Sequence, residues 1–323
     1  MQTTATRYPE FRDVLSARQR IEPYLKPTPL NHYLSLDALI GAKVWVKHED
    51  CQPVRAFKVR GGINLLSSLS PEDRARGVIT ASTGNHGQSI AYAARLFGAD
   101  AYICVPQGAN PDKVAAIRAM GAQIIEQGTH FDDAARNAQG LAQEHGYRFV
   151  HSANEPLLIS GVATQTLEML EQQPSIDTVI VPVGLGSGAA GACIAAKAIS
   201  AGIRVIGVQA AESPAVHDSW RSGAIESRPN KTFAEGLATG QAAGMTLELL
   251  TMHLDDFQLV SEQEILRGMV MWIEHCHTLA ESAAGAVLAA TYALRTELAG
   301  RTIGVICSGS NTTVSQLRKA LEV

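Results

Sequence analysis

One stretch decides the fold of this chain: TVIVPVGLGSGAAGACIAA, residues 178–196. It contains no charged residue, and its length alone would allow it to cross a membrane. Pro182 and the glycines at 184, 186, 188 and 191 interrupt it, however, which disfavours a membrane-spanning helix. We therefore predict a buried strand, a glycine loop and the start of a helix.

The same alternation of strand and helix continues on both sides of this stretch. Further short apolar runs lie at 43–47, 78–81, 101–105, 123–125, 204–208 and 302–307. Between them are helical stretches, such as the one that Asn110-Pro111 begins and Gly121 ends. This pattern predicts an α/β protein with open, mostly parallel twisted sheets. For 323 residues two domains are expected, and we place a large one at 1–74 and 149–323 and a small one at 75–148.

Composition excludes several classes of protein. The net charge of −4 argues against a nucleic-acid-binding protein. Five cysteines lie far apart, are odd in number and include no CxxC pair, which indicates a reducing cytoplasm rather than a disulfide framework. The N-terminal residues carry charges throughout and have no apolar core, so no signal peptide is expected. We therefore expect a cytoplasmic protein with no membrane partner.

The glycine loop 184–188 has the features of a phosphate site. Glycines let the backbone approach an anion closely, and the amides of the following helix point toward it. No Walker lysine follows, which excludes a nucleoside-triphosphate loop. Residues 186–191 also match GxGxxG, but Glu212 comes late for the acidic partner of a dinucleotide fold. A tight turn without any ligand is the remaining alternative.

Two other segments carry polar residues at positions that suggest chemistry. Residues 82–88, STGNHGQ, follow the predicted strand 78–81 and could bind a carboxylate through backbone amides. A capped turn would explain one hydroxyl there, but not Asn85 and His86 together. The third segment places Lys58 between apolar Phe57 and Val59. A lysine alone is most often a solvated charge, so its significance depends on the other two segments.

Taken together, these motifs resemble a known family. FKxRG at 57–61, SxGNHGQ at 82–88, the glycine loop and SGSN at 308–311 occur in the order typical of the fold-type II pyridoxal-phosphate enzymes. The chain is most similar to their threonine/serine dehydratase and serine racemase branch, over nearly its whole length. The resemblance implies a tryptophan synthase β-like fold, pyridoxal 5'-phosphate between the two domains, and a homodimer.

The family pattern also implies roles for individual residues. Lys58 would bind the cofactor covalently, Phe57 would pack near it, Asn85 would bond the ring hydroxyl, and Ser308 would face the pyridine nitrogen. The phosphate would lie on Gly184, Leu185, Gly186, Ser187 and Gly188, and the substrate carboxylate on Ser82, Thr83, Gly84, Asn85 and His86. The segment from Glu281 to Gly285 resembles one near the pyridine ring.

The implied activity is β-elimination from a β-hydroxy amino acid such as L-threonine or L-serine. Lys58 would take the Cα proton, water would leave, and a 2-oxo acid and ammonia would form. Thr83 stands where racemases carry a serine opposite the lysine, and its branched Cβ crowds that face, so racemisation is the weaker alternative. A dehydratase of a bulkier substrate, such as phenylserine, is another, and a nicotinamide oxidoreductase is a distant one.

Three departures from the family pattern matter. Arg55 and Ala56 stand where glycine and serine are usual, and the sequence gives no role for Arg55. After the strand 204–208, neutral residues replace the carboxylates of the family's divalent metal site: Gln209, Ser213 and Ala215. Because a hard cation needs that negative charge, we expect no metal there.

Overall fold

The computed structural model describes residues 7–323, and the side chains of residues 131 and 132 are left out of account. Its strands are β1 Leu30–His32, β2 Lys43–His48, β3 Val78–Ala81, β4 Ala101–Val105, β5 Gln123–Glu126, β6 Arg148–Phe149, β7 Thr178–Pro182, β8 Arg204–Ala210, β9 Asp256–Val260 and β10 Thr302–Cys307. Its helices are α1 Phe11–Ile21, α2 Leu34–Ile40, α3 Val59–Ser68, α4 Pro71–Arg76, α5 Asn85–Phe97, α6 Pro111–Ala119, α7 Phe131–His145, α8 Pro156–Gln172, α9 Ser187–Ile199, α10 Ala215–Ser222, α11 Gly244–His253, α12 Glu262–Cys276, α13 Ser282–Ala293, α14 Arg295–Leu298 and α15 Val314–Leu321, with a 3-10 turn at Glu49–Cys51.

The chain divides into two compact units. The first contains Lys58–Val162 with the described part of Met1–Leu25, and the second contains Lys26–Phe57 and Ala163–Val323. The predicted domain boundaries at 74 and 149 differ from the limits of the first unit at Lys58 and Val162. The difference arises because α3 packs against α5 and α1 against α3, which joins both helices to the smaller sheet.

The first unit is built on a four-stranded parallel sheet in the order β5-β4-β3-β6. The helix that Asn110 was predicted to cap begins at Pro111, and the Asn110 side chain accepts the Asp112 amide at 3.0 Å. Helix α7 packs on β3 and β4 over a small apolar cluster that includes Ile79 and Ala138.

The second unit contains a six-stranded sheet in the order β1-β2-β10-β7-β8-β9. Only β1 runs antiparallel to its neighbour, so the predicted mostly parallel sheets are confirmed. Alternate residues of β7 face opposite layers: Ile180 packs with α13, whereas Val179 and Val181 pack with α9. This two-sided burial explains why every residue of β7 after Thr178 is apolar.

The uncharged stretch 178–196 forms β7, a loop and the first part of α9, as predicted. Over residues 7–323, no helix is long and apolar enough to cross a membrane. All five cysteines are free; Cys51 is exposed and the other four are buried.

Candidate active site

Lys58 lies at the start of α3 in the first unit. It precedes the helix with helical backbone angles (φ −57°, ψ −27°), and its carbonyl accepts the amides of Gly61 and Gly62 at 3.0 and 3.2 Å. The side chain is half-buried. The backbone of Lys58 is therefore fixed by the first turn of α3.

A close contact holds this turn against α5. A Cβ on Gly62 would meet the Ser89 Oγ at 2.4 Å and the Ser89 carbonyl at 2.7 Å, so only glycine fits there. The Ser89 hydroxyl donates to the Lys58 carbonyl at 2.6 Å. Because Ser89 lies in the second turn of α5, Lys58 is held close to the loop 82–86 that precedes this helix.

The loop 82–86 has a fixed backbone and an open side. The Ser82 amide donates to the Cys104 carbonyl at 3.2 Å, and the Ser82 hydroxyl accepts the Gly84 amide at 3.2 Å. Helix α5 begins at Asn85, so the positive end of its dipole faces the loop. Thr83, Gly84 and Asn85 are half-buried. These features suit an anionic ligand such as a carboxylate.

The His86 side chain points into the unit rather than out of this loop. Its Nε2 lies 2.9 Å from the Thr80 Oγ1, and the Thr80 hydroxyl donates its own proton to the Val150 carbonyl at 2.7 Å. His86 therefore donates from Nε2. Burial, followed by the charges of Lys58 and His151, lowers the pKa of His86 to about 3. The ring is neutral and joins α5 to Thr80 of β3, so only the backbone of His86 remains for a ligand.

His151 also belongs to this site, although no sequence motif includes it. It follows β6, which pairs in parallel with β3 (Ile79 opposite Phe149), and the Val150 amide donates to the Ile79 carbonyl at 2.8 Å. Since both strands end at the same edge of the sheet, His151 lies beside the loop 82–86. Burial, and then the charge of Lys58, lowers the pKa of His151. The position of His151 was not predicted because β6 has only two residues and no recognisable strand pattern.

The glycine loop of the second unit is shaped by its backbone. A Cβ on Gly184 would meet the Gly236 carbonyl at 2.4 Å. Gly186 has φ +94°, which a side chain would strain, and the Thr246 hydroxyl donates to the Leu185 carbonyl at 2.6 Å. Helix α9 begins at Ser187, which is buried. The loop therefore presents main-chain groups and a helix N-terminus.

Phe57 and Ser308 are connected to this loop within the same unit. A Cβ on Gly188 would meet the Phe57 ring at 3.1 Å, and the Phe57 amide donates to the Ser308 carbonyl at 3.0 Å. The Ser308 hydroxyl donates to Glu281 Oε1 at 2.9 Å, with both residues buried. Phe57 and Lys58 are consecutive, so the lysine directly follows this group of residues in the chain.

The structure gives Arg55 a backbone explanation. It has φ +55°, one of two such non-glycine residues in the described chain, and its carbonyl accepts the Ser310 amide at 2.9 Å. The turn therefore favours glycine, which is the residue usual in the family. Nothing in the structure explains why arginine is present instead.

At two positions of the family's metal site, the side chains form hydrogen bonds with the protein backbone. Gln209 Oε1 accepts the His217 amide at 3.0 Å, and the Ser213 hydroxyl donates to the Thr239 carbonyl at 2.8 Å. Elsewhere in the described chain, one group of three histidine, cysteine or acidic residues has its ligand atoms within 4.8 Å of one another. It consists of His48, Asp50 and Cys51. There, His48 Nδ1 and Asp50 Oδ1 already share a hydrogen bond of 2.9 Å.

The donor groups fit pyridoxal phosphate. The loop 184–188 has no acidic side chain, and helix α9 begins within it, so main-chain amides at a helix N-terminus are available to a phosphate. His86 and His151, whose pKa values are lowered in part by the charge of Lys58, are neutral and add no competing positive charge.

Comparison with known proteins agrees with this fit. Residues 21–309 match the model of a family described as "Pyridoxal-phosphate dependent enzyme". The L-threonine ammonia-lyase of Thermotoga maritima is 34% identical over 96% of this chain and 78% of its own length. The L-threo-3-hydroxyaspartate ammonia-lyase of Saccharomyces cerevisiae is 35% identical over 94% and 93%. The structure of maize serine racemase superposes with a TM-score of 0.91 at 31% identity, covering 98% of each chain.

Proposed function

This chain belongs to the pyridoxal-phosphate dependent enzymes, and on that basis we propose that it removes water and ammonia from a β-hydroxy amino acid. The observation that carries the proposal is the arrangement in the first unit. There Lys58, the amide-lined loop 82–86 and neutral His151 lie around the carboxyl ends of β3 and β6. This combines a base with a carboxylate-binding loop.

We assign the cofactor to two sets of residues. Lys58 would hold it covalently, and Asn85 would bond its ring hydroxyl. Gly184, Leu185, Gly186, Ser187 and Gly188 would bind its phosphate, with Phe57 and Ser308 beside the ring. When bound, pyridoxal phosphate supplies an electron sink that acidifies the Cα–H bond of an amino acid.

The chain's own residues supply binding and proton transfer. The loop 82–86 would bind the substrate carboxylate through amides other than those of Ser82 and Gly84, assisted by the hydroxyls of Ser82 and Thr83. This fixes the Cα–H bond toward Lys58, whose amine takes the proton. Loss of the β-hydroxyl as water leaves an enamine, which hydrolyses to a 2-oxo acid and ammonia.

L-Threonine and L-serine are the proposed substrates, because relatives named for threonine cover nearly the whole chain. Racemisation is the second candidate, supported by the similarity to maize serine racemase and by the half-buried Thr83. A bulkier β-substituent, as in phenylserine, is the alternative within the lyase class.

A panel of β-hydroxy amino acids, assayed in parallel for keto acid, ammonia and the D-enantiomer, tests the proposal. We expect keto acid and ammonia in equal amounts from threonine or serine. Inversion without ammonia would make the protein a racemase, and preference for phenylserine would change the substrate. Absence of any reaction with a cofactor-loaded protein would overturn the proposal.

We also propose a homodimer in a reducing, cytoplasmic setting. The support is the family resemblance together with five cysteines that are all unpaired. Burial raises the pKa of Cys104 to about 11 and that of Cys193 to about 12, so these thiols are unreactive. Sedimentation velocity of the loaded enzyme would measure the oligomeric state, and a monomer would contradict this part.

A further inference from the structure

We propose that His151 is a further catalytic residue: its Nε2–H donates a hydrogen bond to the substrate's β-substituent as that group leaves. The inference rests on the elimination proposed above and specifies one contact within the same site. It goes beyond the sequence motifs, none of which includes His151.

The hydrogen bonds of His151 determine which ring nitrogen carries the proton. Its Nδ1 accepts two backbone amides, from Ala153 at 3.0 Å and from Asn154 at 2.9 Å. A nitrogen that accepts two hydrogen bonds has no proton, so in the neutral ring the proton lies on Nε2. Across residues 7–323, Nε2 itself has no hydrogen-bond partner in the protein.

The position of His151 brings this donor to the reacting groups. Val150 is bonded to both Ile79 and Thr80, which places residue 151 beside the end of β3 and hence beside the loop 82–86. Lys58 is held near the same loop through the hydrogen bond from Ser89 to its carbonyl, and its charge contributes to the lowered pKa of His151. A substrate whose carboxylate lies on the loop and whose Cα faces Lys58 would have its Cβ substituent near His151.

His86 provides an internal comparison. Both rings are neutral, but His86 is buried and its Nε2–H donates to Thr80 inside the unit, whereas His151 is half-buried. His151 instead directs its other nitrogen at the backbone, which leaves Nε2–H for a ligand. The two rings therefore have different functions although they lie in the same cluster.

The elimination needs no acid other than protonated Lys58. The Cα–H bond breaks and Lys58 takes the proton; the Cβ–O bond then breaks, and the departing oxygen receives that proton and leaves as water. His151 keeps its own proton and stabilises the negative charge that develops on the oxygen. One hydrogen bond to such a charge changes a rate by about 10- to 100-fold.

Two variants separate the two ring nitrogens. In His151→Asn the side-chain oxygen replaces Nδ1 as acceptor for the two amides, but the Nε2–H donor is lost. In His151→Gln the side-chain NH₂ replaces the donor, while the amides lose their acceptor. Both are loaded with cofactor and assayed for keto acid with L-serine and with β-chloro-L-alanine, whose chloride leaves without needing a proton.

For His151→Asn we expect kcat/KM with serine to fall about 10- to 100-fold, and with β-chloroalanine by less than about threefold. His151→Gln should keep more of the serine activity and melt at a lower temperature. The ratio of the two activities is taken on one preparation, so partial unfolding does not affect it. Binding of L-alanine, which has no β-substituent, should be unchanged in His151→Asn.

Equal losses with serine and β-chloroalanine would overturn the inference, as would His151→Asn with wild-type activity on serine. Weaker binding of L-alanine would assign His151 to the carboxylate instead. If the wild-type protein eliminates neither substrate, the failure lies in the proposed function, and the two outcomes are thus distinguishable.

Discussion

Two loops of this molecule have the same local architecture but offer different groups to a ligand. The loop 82–86 follows β3 and opens a helix of 13 residues, and the loop 184–188 follows β7 and opens another of 13 residues. The first presents hydroxyl and amide side chains at its open side. The second presents almost only backbone, shaped by glycines that leave no room for Cβ atoms.

On the proposed assignment, the same supersecondary unit serves two purposes. A phosphate needs several amides close together, which bare backbone provides. A substrate must also be oriented for proton transfer, which requires side chains at defined positions. We therefore expect substitutions in the loop 184–188 to affect cofactor affinity, and those around the loop 82–86 to affect turnover.

The largest effect is expected at Lys58. In Lys58→Ala we expect keto-acid formation to fall by at least about 10³-fold, because base and covalent attachment are lost together. The covalent link to the cofactor, followed by borohydride reduction and mass spectrometry, should also disappear. Lys319→Ala, at an exposed lysine of α15, is the control. Retained activity or an intact covalent link in Lys58→Ala would contradict the role proposed for Lys58.

A pair of glycine substitutions distinguishes the loops directly. Gly184→Ala should weaken cofactor binding about 10- to 100-fold, because its Cβ would overlap the Gly236 carbonyl. Gly84→Ala adds a Cβ in open space at negative φ, so cofactor affinity should not change. Fluorescence titration of the apo-protein measures both, and Gly244→Ala is a control in open space. Equal affinities for all three would show that the glycine loop is not the phosphate site.

Thr83 tests what the side-chain loop contributes. If its hydroxyl only binds the substrate, Thr83→Ala should lower kcat/KM for elimination about 10- to 100-fold. Keto acid and D-amino acid are measured together on the wild type and the variant. Wild-type racemisation comparable to elimination, lost selectively in Thr83→Ala, would make Thr83 a second acid–base group.

The neutral His86 makes the first unit sensitive to acid. Its folded pKa of about 3 lies below the ordinary 6.5, so its contribution is complete above pH 6.5 and is lost as the pH falls toward 3. Over that range the free energy of unfolding should fall by about 1.4 kcal/mol per pH unit from this group. His86→Gln, which keeps a donor for Thr80, should show a shallower decline in urea titrations at pH 6.5 and 5. Identical pH slopes would show that the ring is not held neutral.

The smallest effect concerns the segment after β8, which in the family binds a divalent ion. Because Gln209, Ser213 and Ala215 offer no carboxylate, chelation should change activity by less than about twofold. A tenfold loss with EDTA that Mg²⁺ restores would contradict this and would require a site elsewhere.

Sequence patterns predicted the elements that have strong local signals. The strands at 43–47, 78–81 and 178–183 were found because buried parallel strands are rich in apolar and β-branched residues, and their ends agree with the structure within one residue. β1, β6 and β9 were missed because short or edge strands lack that signal. The placement of His151 depends on β6 pairing with β3, which no local pattern encodes.

Long-range contacts account for the remaining differences. The close approach of Gly62 to Ser89, which assigns α3 to the first unit, depends on residues distant in sequence. The inward direction of His86 likewise depends on Thr80 and Val150. The motif at 82–88 predicted that His86 lies near the site. Only the fold shows that its side chain faces the interior and not a ligand.

The strand order also has a consequence for the growing chain on the ribosome. All four strands of the smaller sheet lie between residues 78 and 149, so that sheet can form while the rest is still being synthesised. β2 must wait for β10, since Val44 pairs with Ile303. Until then β2, with its buried Val44 and Val46, lacks one neighbour, which is the condition in which nascent chains aggregate or bind chaperones. A protein truncated before residue 302 would remain in that state permanently.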